Sequence, residues 1–388
     1  MYTLRPYQKQ ASDAALRAFQ SGRGKSGLLV LPTGAGKSLV IADIAYKLGE
    51  PLLVFQPSKE ILEQNYAKLC SYGFMDCSIY SASVGQKVIS KVTFCTIGTA
   101  FNQMEAFRKY KYIIWDEAHD KVNPKGGQAE KFIHDNPERV VIGLTATPYR
   151  LHTFRSGSML KFLTRTRPRI FSEVFYYCQI SDLLAKGFLA HLNYYDVTKI
   201  NMLNVRSNST GNDFDDESLV MEYERSGFYD QLIATVDRLR HPKRGGKRKG
   251  ILVFTKFVRE AQMVADHFPN CAIVSGETPK KEREKILEAF KAGRIEVVAN
   301  AQTLTTGFDY PELDTILLAR PTKSLSLYYQ MVGRAIRPHK EKGAGWIVDM
   351  CGNYQRFGKV EDLRIECPVN TERWMITSNG RQITNVMI

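Results

Sequence analysis

Cysteine is sparse and unpatterned in this chain of 388 residues. Its seven cysteines, at 70, 77, 95, 178, 271, 351 and 367, contain no C-x-x-C pair, and the odd count excludes a fully paired disulfide framework. The spacing gives no support to a zinc ribbon, and reduced thiols fit a reducing compartment. Long apolar runs are missing as well: none approaches the roughly 18 residues that cross a bilayer. The opening residues, Met1 to Pro6, carry no apolar signal core. The expectation is a cytoplasmic protein with no membrane association. Acidic residues are the minority charge, 40 against 54 basic, which leaves a net charge of +14 and a pI near 9.3. That excess suits a polyanionic partner, although a solvated basic surface would look the same.

Apolar residues make up 44% of the chain, enough for a packed core, and the length allows two domains. Short apolar runs rich in Val, Ile and aromatics recur at Leu28–Leu31, Leu52–Gln56, Val92–Thr96, Tyr112–Trp115 and Val140–Leu144. Helix-like stretches such as Glu60–Leu69 separate them. Runs that are apolar throughout are those of strands covered on both faces, so the alternation predicts an α/β fold with a parallel sheet. The rhythm fades after Arg150. It returns at Ile251–Thr255, Ala272–Ser275, Ile295–Ala299, Thr315–Ala319 and Trp346–Asp349, with helices expected over Val258–His267 and Lys280–Lys291. The expected division is a first domain over 1–165, a linker or insertion over 166–225, a second domain over 226–365 and a tail over 366–388. Asn204 to Glu224, polar and acidic, reads as a loop or insertion.

The stretch Leu31-Pro32-Thr33-Gly34-Ala35-Gly36-Lys37-Ser38 follows the first apolar run and precedes an apolar-periodic segment, Leu39 to Leu48. Strand, Gly-rich turn and helix in that order are the context of a phosphate-binding loop. Gly34 and Gly36 let backbone N–H groups approach phosphate oxygens, with Thr33 and Ala35 completing the turn. Lys37 can reach the outer phosphates of a nucleoside triphosphate, and Ser38 can ligate Mg2+. Leu31 stands where the strict motif has its first glycine. Further on, Tyr112-Ile113-Ile114-Trp115-Asp116-Glu117-Ala118-His119 is an apolar strand ending in two carboxylates. Asp116 is placed to hold the metal and Glu117 to orient and deprotonate an attacking water.

Asp116-Glu117-Ala118-His119 resembles the DEAH box of superfamily 2 helicases and translocases, and other segments resemble that family's motifs in the same order. Arg5-Pro6-Tyr7-Gln8 resembles the N-terminal R-x-Y-Q element. Pro57 to Gln64 resembles motif Ia, and Thr96-Ile97-Gly98-Thr99 stands where motif Ib belongs. Leu144-Thr145-Ala146-Thr147-Pro148-Tyr149-Arg150 resembles motif III. Ile251–Thr255 resembles motif IV, and Val274-Ser275-Gly276 with Arg283 the element after it. Thr303 to Pro311 resembles motif V, and Gln330-Met331-Val332-Gly333-Arg334-Ala335-Ile336-Arg337-Pro338 resembles motif VI. The T-A-T-P-x-R and Q-x-x-G-R-x-x-R-P forms are similar to the branch containing XPB, phage UvsW and the motor subunits of restriction enzymes.

The resemblance implies two RecA-like domains with ATP and Mg2+ bound between them, and an ATP-driven helicase or translocase on single-stranded, forked or branched DNA. RNA is the alternative strand, and a non-unwinding ATP-switched clamp the alternative role. It implies 3′ to 5′ polarity and a phage or bacterial source; a monomer is expected rather than a stable oligomer. Arg337, with Arg334 and Gln330, is expected at the transferring phosphoryl group, the two arginines lying three apart on one helix. A grip on a phosphate backbone or a salt bridge is the alternative for the arginines. Arg5 and Gln8 either read the adenine or cap their helix. Gly307 and Asp309 are expected at the nucleotide, or as a loop cap in the case of Asp309. Pro57, Ser58, Thr96, Gly98, Thr255, Gly276 and Thr303 are expected to grip nucleic-acid phosphates through loop amides and hydroxyls. Arg150 either joins them or belongs to a solvated face.

Overall fold

The computed structural model describes residues 3–22, 24–122, 126–154, 157–243, 246–304 and 310–387. Gly307 and Asp309 lie outside these. The chain divides into two compact units. The first gathers Met1–Arg150, Met159–Gln179 and Arg364–Met387; the second gathers Leu151–Ser158 and Ile180–Leu363.

The strands of the first part of the chain are β1 (Gly27–Val30), β2 (Leu52–Phe55), β3 (Cys77–Ser81), β4 (Gln86–Lys87), β5 (Val92–Cys95), β6 (Tyr112–Asp116), β7 (Val140–Thr145), β8 (Tyr149–Phe154), β9 (Gly157–Phe162) and β10 (Glu173–Tyr177). Eight of them form one sheet in the order β10-β1-β7-β6-β2-β5-β3-β4; β8 and β9 lie outside it. Every neighbouring pair is parallel except β3 with the short edge strand β4. β1, β2, β5 and β7 are buried along their whole length, as their unbroken apolar runs demand. In this sheet β1 and β6, which end in the phosphate-loop sequence and the DEAH carboxylates, flank β7.

The second unit is built on β11 (Leu192–Asp196), β12 (Ile251–Thr255), β13 (Cys271–Val274), β14 (Val297–Ala301), β15 (Thr315–Ala319) and β16 (Gly345–Asp349), all parallel, in the order β11-β16-β15-β12-β14-β13. Its main segment runs from Ile180, so much of the stretch expected to be linker or insertion belongs to a compact unit: β11 is an edge strand of the sheet. The acidic run read as loop contains the helix Asp216–Arg225, whose N-cap Asp215 accepts from the Ser218 N–H at 3.0 Å. At the C-terminal end, β17 (Leu363–Glu366), β18 (Met375–Ser378) and β19 (Arg381–Gln382) form a small sheet. The segment expected as a tail packs into the first unit. There Asn385 accepts from the Phe162 N–H at 3.1 Å, and Trp374 meets the Tyr177 ring edge-on at 5.4 Å. No described helix is long and apolar enough to cross a membrane.

Candidate nucleotide-binding site

β1 hands the chain directly to the glycine loop. The Leu31 N–H donates to Thr145 O at 3.0 Å, so the residue that replaces the motif's first glycine continues the pairing with β7. The chain then turns, with Gly34 and Gly36 at φ of 82° and 78°, values that an L side chain rarely adopts. Gly36 is also the N-cap of the helix Lys37–Leu48, and no side chain caps that terminus. The first-turn amides are therefore presented by backbone alone, as an anion site requires.

Gln8 holds this loop from behind. Its side chain, 3% exposed, accepts from the Arg5 N–H at 2.9 Å and donates to Ala35 O at 2.8 Å. The Tyr7 hydroxyl donates to the same carbonyl at 2.9 Å. A Cβ at position 36 would come within 2.5 Å of Gln8 Nε2, so glycine there serves close packing as well as backbone conformation. The amide makes the helix-cap contact and extends it into a strut for the loop.

Across the loop, Lys37 Nζ lies 2.8 Å from Glu117 Oε1. Glu117 follows β6 in a left-handed conformation with φ of 46°, uncommon for a non-glycine residue and characteristic of functional turns. Asp116, 5% exposed, accepts from Asn65 Nδ2 at 3.2 Å and from the Glu117 N–H at 3.0 Å. Burial, and the Glu117 carboxylate beside it, push the Asp116 carboxyl above the usual carboxylate range, against the pull of Lys37. Such a carboxyl ionises most readily beside a cation. His119 Nδ1 sits 3.0 Å from Thr145 Oγ1 and 3.4 Å from Glu117 Oε2. Burial lowers its pKa and keeps it neutral at pH 7. It joins the DEAH turn to the T-A-T segment.

These residues fit a nucleoside triphosphate with Mg2+. The loop offers amides and Lys37 to phosphates. Ser38 and Asp116 offer one hydroxyl and one carboxylate, and the described residues contain no cluster of three or more ligating side chains. That short donor set suits Mg2+, which keeps waters and leans on phosphate oxygens, and not a metal that needs an all-protein cage.

In the second unit, the helix Leu325–Val332 carries Gln330 but stops before both arginines. Gly333 is its C-cap, and Pro338 disfavours helical backbone before it. Arg334 and Arg337 therefore lie in the turn that follows, not on one helix face as expected. Arg334 is buried, its Nε donating to Gln330 O at 3.4 Å; Arg337 is half-buried.

Two family models match the chain in the order of these motifs. The type III restriction enzyme res subunit model matches residues 1–150, and the helicase conserved C-terminal domain model matches 231–339. The chain belongs to the superfamily 2 helicases. This superfamily 2 chain is 28% identical over 334 residues to a 51.5 kDa protein of Lactococcus phage (isolate 7-9), covering 84% of its own length and 66% of the phage protein's. It is 27% identical over 379 residues to the putative ATP-dependent helicase IRC3 of Saccharomyces cerevisiae, covering 90% of its own length and 51% of the yeast protein's. It thus spans between about half and two thirds of these relatives. Among solved structures, the type ISP restriction-modification enzyme LlaBIII bound to DNA matches 90% of this chain and 28% of its own, with a TM-score of 0.68 and 18% identity, a likeness of fold.

The expected nucleic-acid contacts divide by geometry. Gly98 and Gly276 are exposed. Ser58 is the N-cap of the helix Lys59–Cys70, with its Oγ 3.4 Å from the Ile61 N–H, next to half-buried Pro57. Thr96 Oγ1 shares hydrogen bonds with Thr99 and Ser81 at 3.1 and 3.3 Å. Arg150 donates to Asp120 O at 3.2 Å, and Thr303 Oγ1 donates to Asn300 Oδ1 at 2.9 Å. Thr255 is 0% exposed, and its hydroxyl donates to Phe257 O at 2.9 Å.

Sequence reasoning missed three residues. Asn65, on the motif Ia helix, orients Asp116. Gln56, at the end of β2, is buried with both amide atoms unpartnered among the described residues, against a hollow it shares with Pro57, Ile97, Asp116, Glu117 and Asp120. Lys256, after Thr255, carries the charge at the end of β12. An amide or a lysine beside a motif has no periodic signal of its own.

Proposed function

We propose that this chain hydrolyses ATP with Mg2+ to drive movement along DNA, as a helicase or translocase in recombination, repair or replication. The observation that carries the reading is the 2.8 Å pairing of Lys37 with Glu117 at a helix N-terminus that no side chain caps. Lys37 exchanges Glu117 for phosphate oxygens when the nucleotide enters. Released from the lysine, Glu117 accepts the proton of the attacking water, and neutral His119 holds its orientation. Ser38 and Asp116 hold Mg2+, which when bound neutralises charge on the phosphates. Arg334 and Arg337 as donors to the transferring phosphoryl group rest on the motif alone. A cytoplasmic location in a bacterium or a phage-infected host, and action as a monomer, are parts of the same proposal.

The test is ATP hydrolysis by the purified chain with single-stranded, duplex, forked and four-way DNA, and with RNA. Stimulation by DNA above RNA supports the reading. Stimulation by RNA alone replaces it with an RNA helicase, and turnover without strand displacement or translocation replaces it with a clamp.

A further inference from the structure

The basic side chains of the second unit converge at the carboxyl ends of three neighbouring strands. Lys256 follows β12, Arg320 and Lys323 follow β15, and Arg356 lies on the helix Asn353–Phe357 after β16. Ligands of open parallel sheets bind at this edge. Lys256 and Arg320 are nonetheless 8% and 6% exposed, covered by a hairpin over residues 206–215. In that hairpin Ser207 bridges Phe214, Asn208 N–H donates to Asp213 O at 2.9 Å and Asp215 N–H donates to Arg206 O at 2.9 Å. Phe214 is buried beneath two cations, with the Arg356 guanidinium 4.8 Å and the Lys323 ammonium 5.4 Å from its ring centre.

From this hairpin Asp213 reaches two of these cations. Its Oδ2 lies 3.1 Å from Lys256 Nζ and 3.8 Å from Arg320 Nη2; Asp216 adds a second contact to Lys256 at 3.2 Å. The match is incomplete. Asp213 Oδ1 and Arg320 Nε are both buried with no hydrogen-bond partner among the described residues. Burial, and then Arg356 beside it, lowers the Lys323 pKa against the pull of Asp213. Asp213 thus leaves a buried donor of this cationic place unused, which suits an anion with more acceptor oxygens.

The geometry points to a phosphate-binding subsite formed by Lys256, Arg320 and Lys323, for a backbone phosphate of nucleic acid, which Asp213 occupies as a stand-in until the strand displaces the hairpin. The inference rests on the nucleic-acid-motor reading above and adds to it a contact and a brake. The site adjoins the β12 end, beside the β14 and β13 ends where Thr303 and Gly276 stand, which makes a strand a better source of the phosphate than a free anion.

The experiment measures the dissociation constant of a labelled oligothymidylate against salt for wild type, Asp213→Asn, Lys256→Gln and the double variant, with thermal melts to confirm folding. Asp213→Ser repeats the first substitution should the asparagine variant melt early. Loss of the stand-in charge tightens binding by about tenfold. Lys256→Gln weakens it and reduces the salt slope by about one, and the double variant shows no gain over Lys256→Gln alone. Inorganic phosphate at matched ionic strength leaves the gain in place. If wild type binds with steep salt dependence and the Asp213 variants bind no tighter, or gain equally without Lys256, the subsite is refuted while the motor reading stands. If inorganic phosphate abolishes the gain, the site takes a free anion and the nucleic-acid assignment is overturned. If no form of the protein binds the oligonucleotide, the motor reading fails and the subsite with it.

Discussion

Lys37 and Glu117 form an ion pair 2.8 Å long between the first turn of the loop helix and the turn after β6. In the proposed mechanism each takes a further partner, a phosphate oxygen for Lys37 and the attacking water for Glu117. Lys37→Ala removes the cation that meets the outer phosphates. Phosphate release should fall to background, with the melting temperature lowered by no more than a partly exposed ion pair allows, about 1 kcal/mol or less. Normal turnover would displace the site from this loop.

Gln8 gives a prediction of a different kind. Its amide ties the start of the first helix to Ala35 O, so Gln8→Ala leaves that buried carbonyl with Tyr7 alone. The expected result is a loss of about 1–2 kcal/mol in stability and a raised KM for ATP with a smaller change in kcat. A change confined to discrimination between ATP and GTP would return Gln8 to the adenine.

Arg337→Ala should reduce kcat by on the order of 10³ or more while nucleotide affinity, read with a fluorescent ATP analogue, changes little. Equal losses in both would make Arg337 a structural residue of the turn.

Glu260 offers a test of the second unit's electrostatics. Its Oε2 accepts from the Phe257 N–H at 2.9 Å, while Oε1 is buried without a hydrogen-bond partner among the described residues. Burial pushes its pKa up to about 6 from 4.5. Between those values the folded state binds more protons than the unfolded state, so this carboxyl lowers stability as pH rises through the window. Glu260→Gln should therefore raise the melting temperature at pH 7.5, by an amount on the order of 1–2 kcal/mol, and raise it less at pH 4.5. An equal gain at both pH values would show that charge is not the cause.

Much of the fold was legible because its central strands are covered on both faces, and runs such as Leu28–Leu31 and Ile251–Thr255 have no other use for so many apolar residues. β10 and β11 were missed because edge strands expose one side and carry mixed residues. The helix Asp216–Arg225 was missed because its acidic start looks like a loop, although Asp215 is the cap that begins it. The phosphate loop and the DEAH turn were legible because glycine and carboxylate spacing is their chemistry. The arginine turn was misread as helix, since a three-residue spacing suggests one, and Gly333 and Pro338 were not weighed against it. The burial of Thr255 was not legible as a pattern, because every residue of β12 is buried and its hydroxyl turns back to Phe257 O. No local pattern could show Asp213 folding back onto Lys256, because they are far apart in sequence.

The central claim is that Glu117 is the base of an ATP-hydrolysing site, and Glu117→Gln tests it most directly. Steady-state hydrolysis in the presence of DNA should fall by about 10²- to 10⁴-fold, while the variant still binds the ATP analogue and DNA. Full kcat in a variant that binds both would contradict the account.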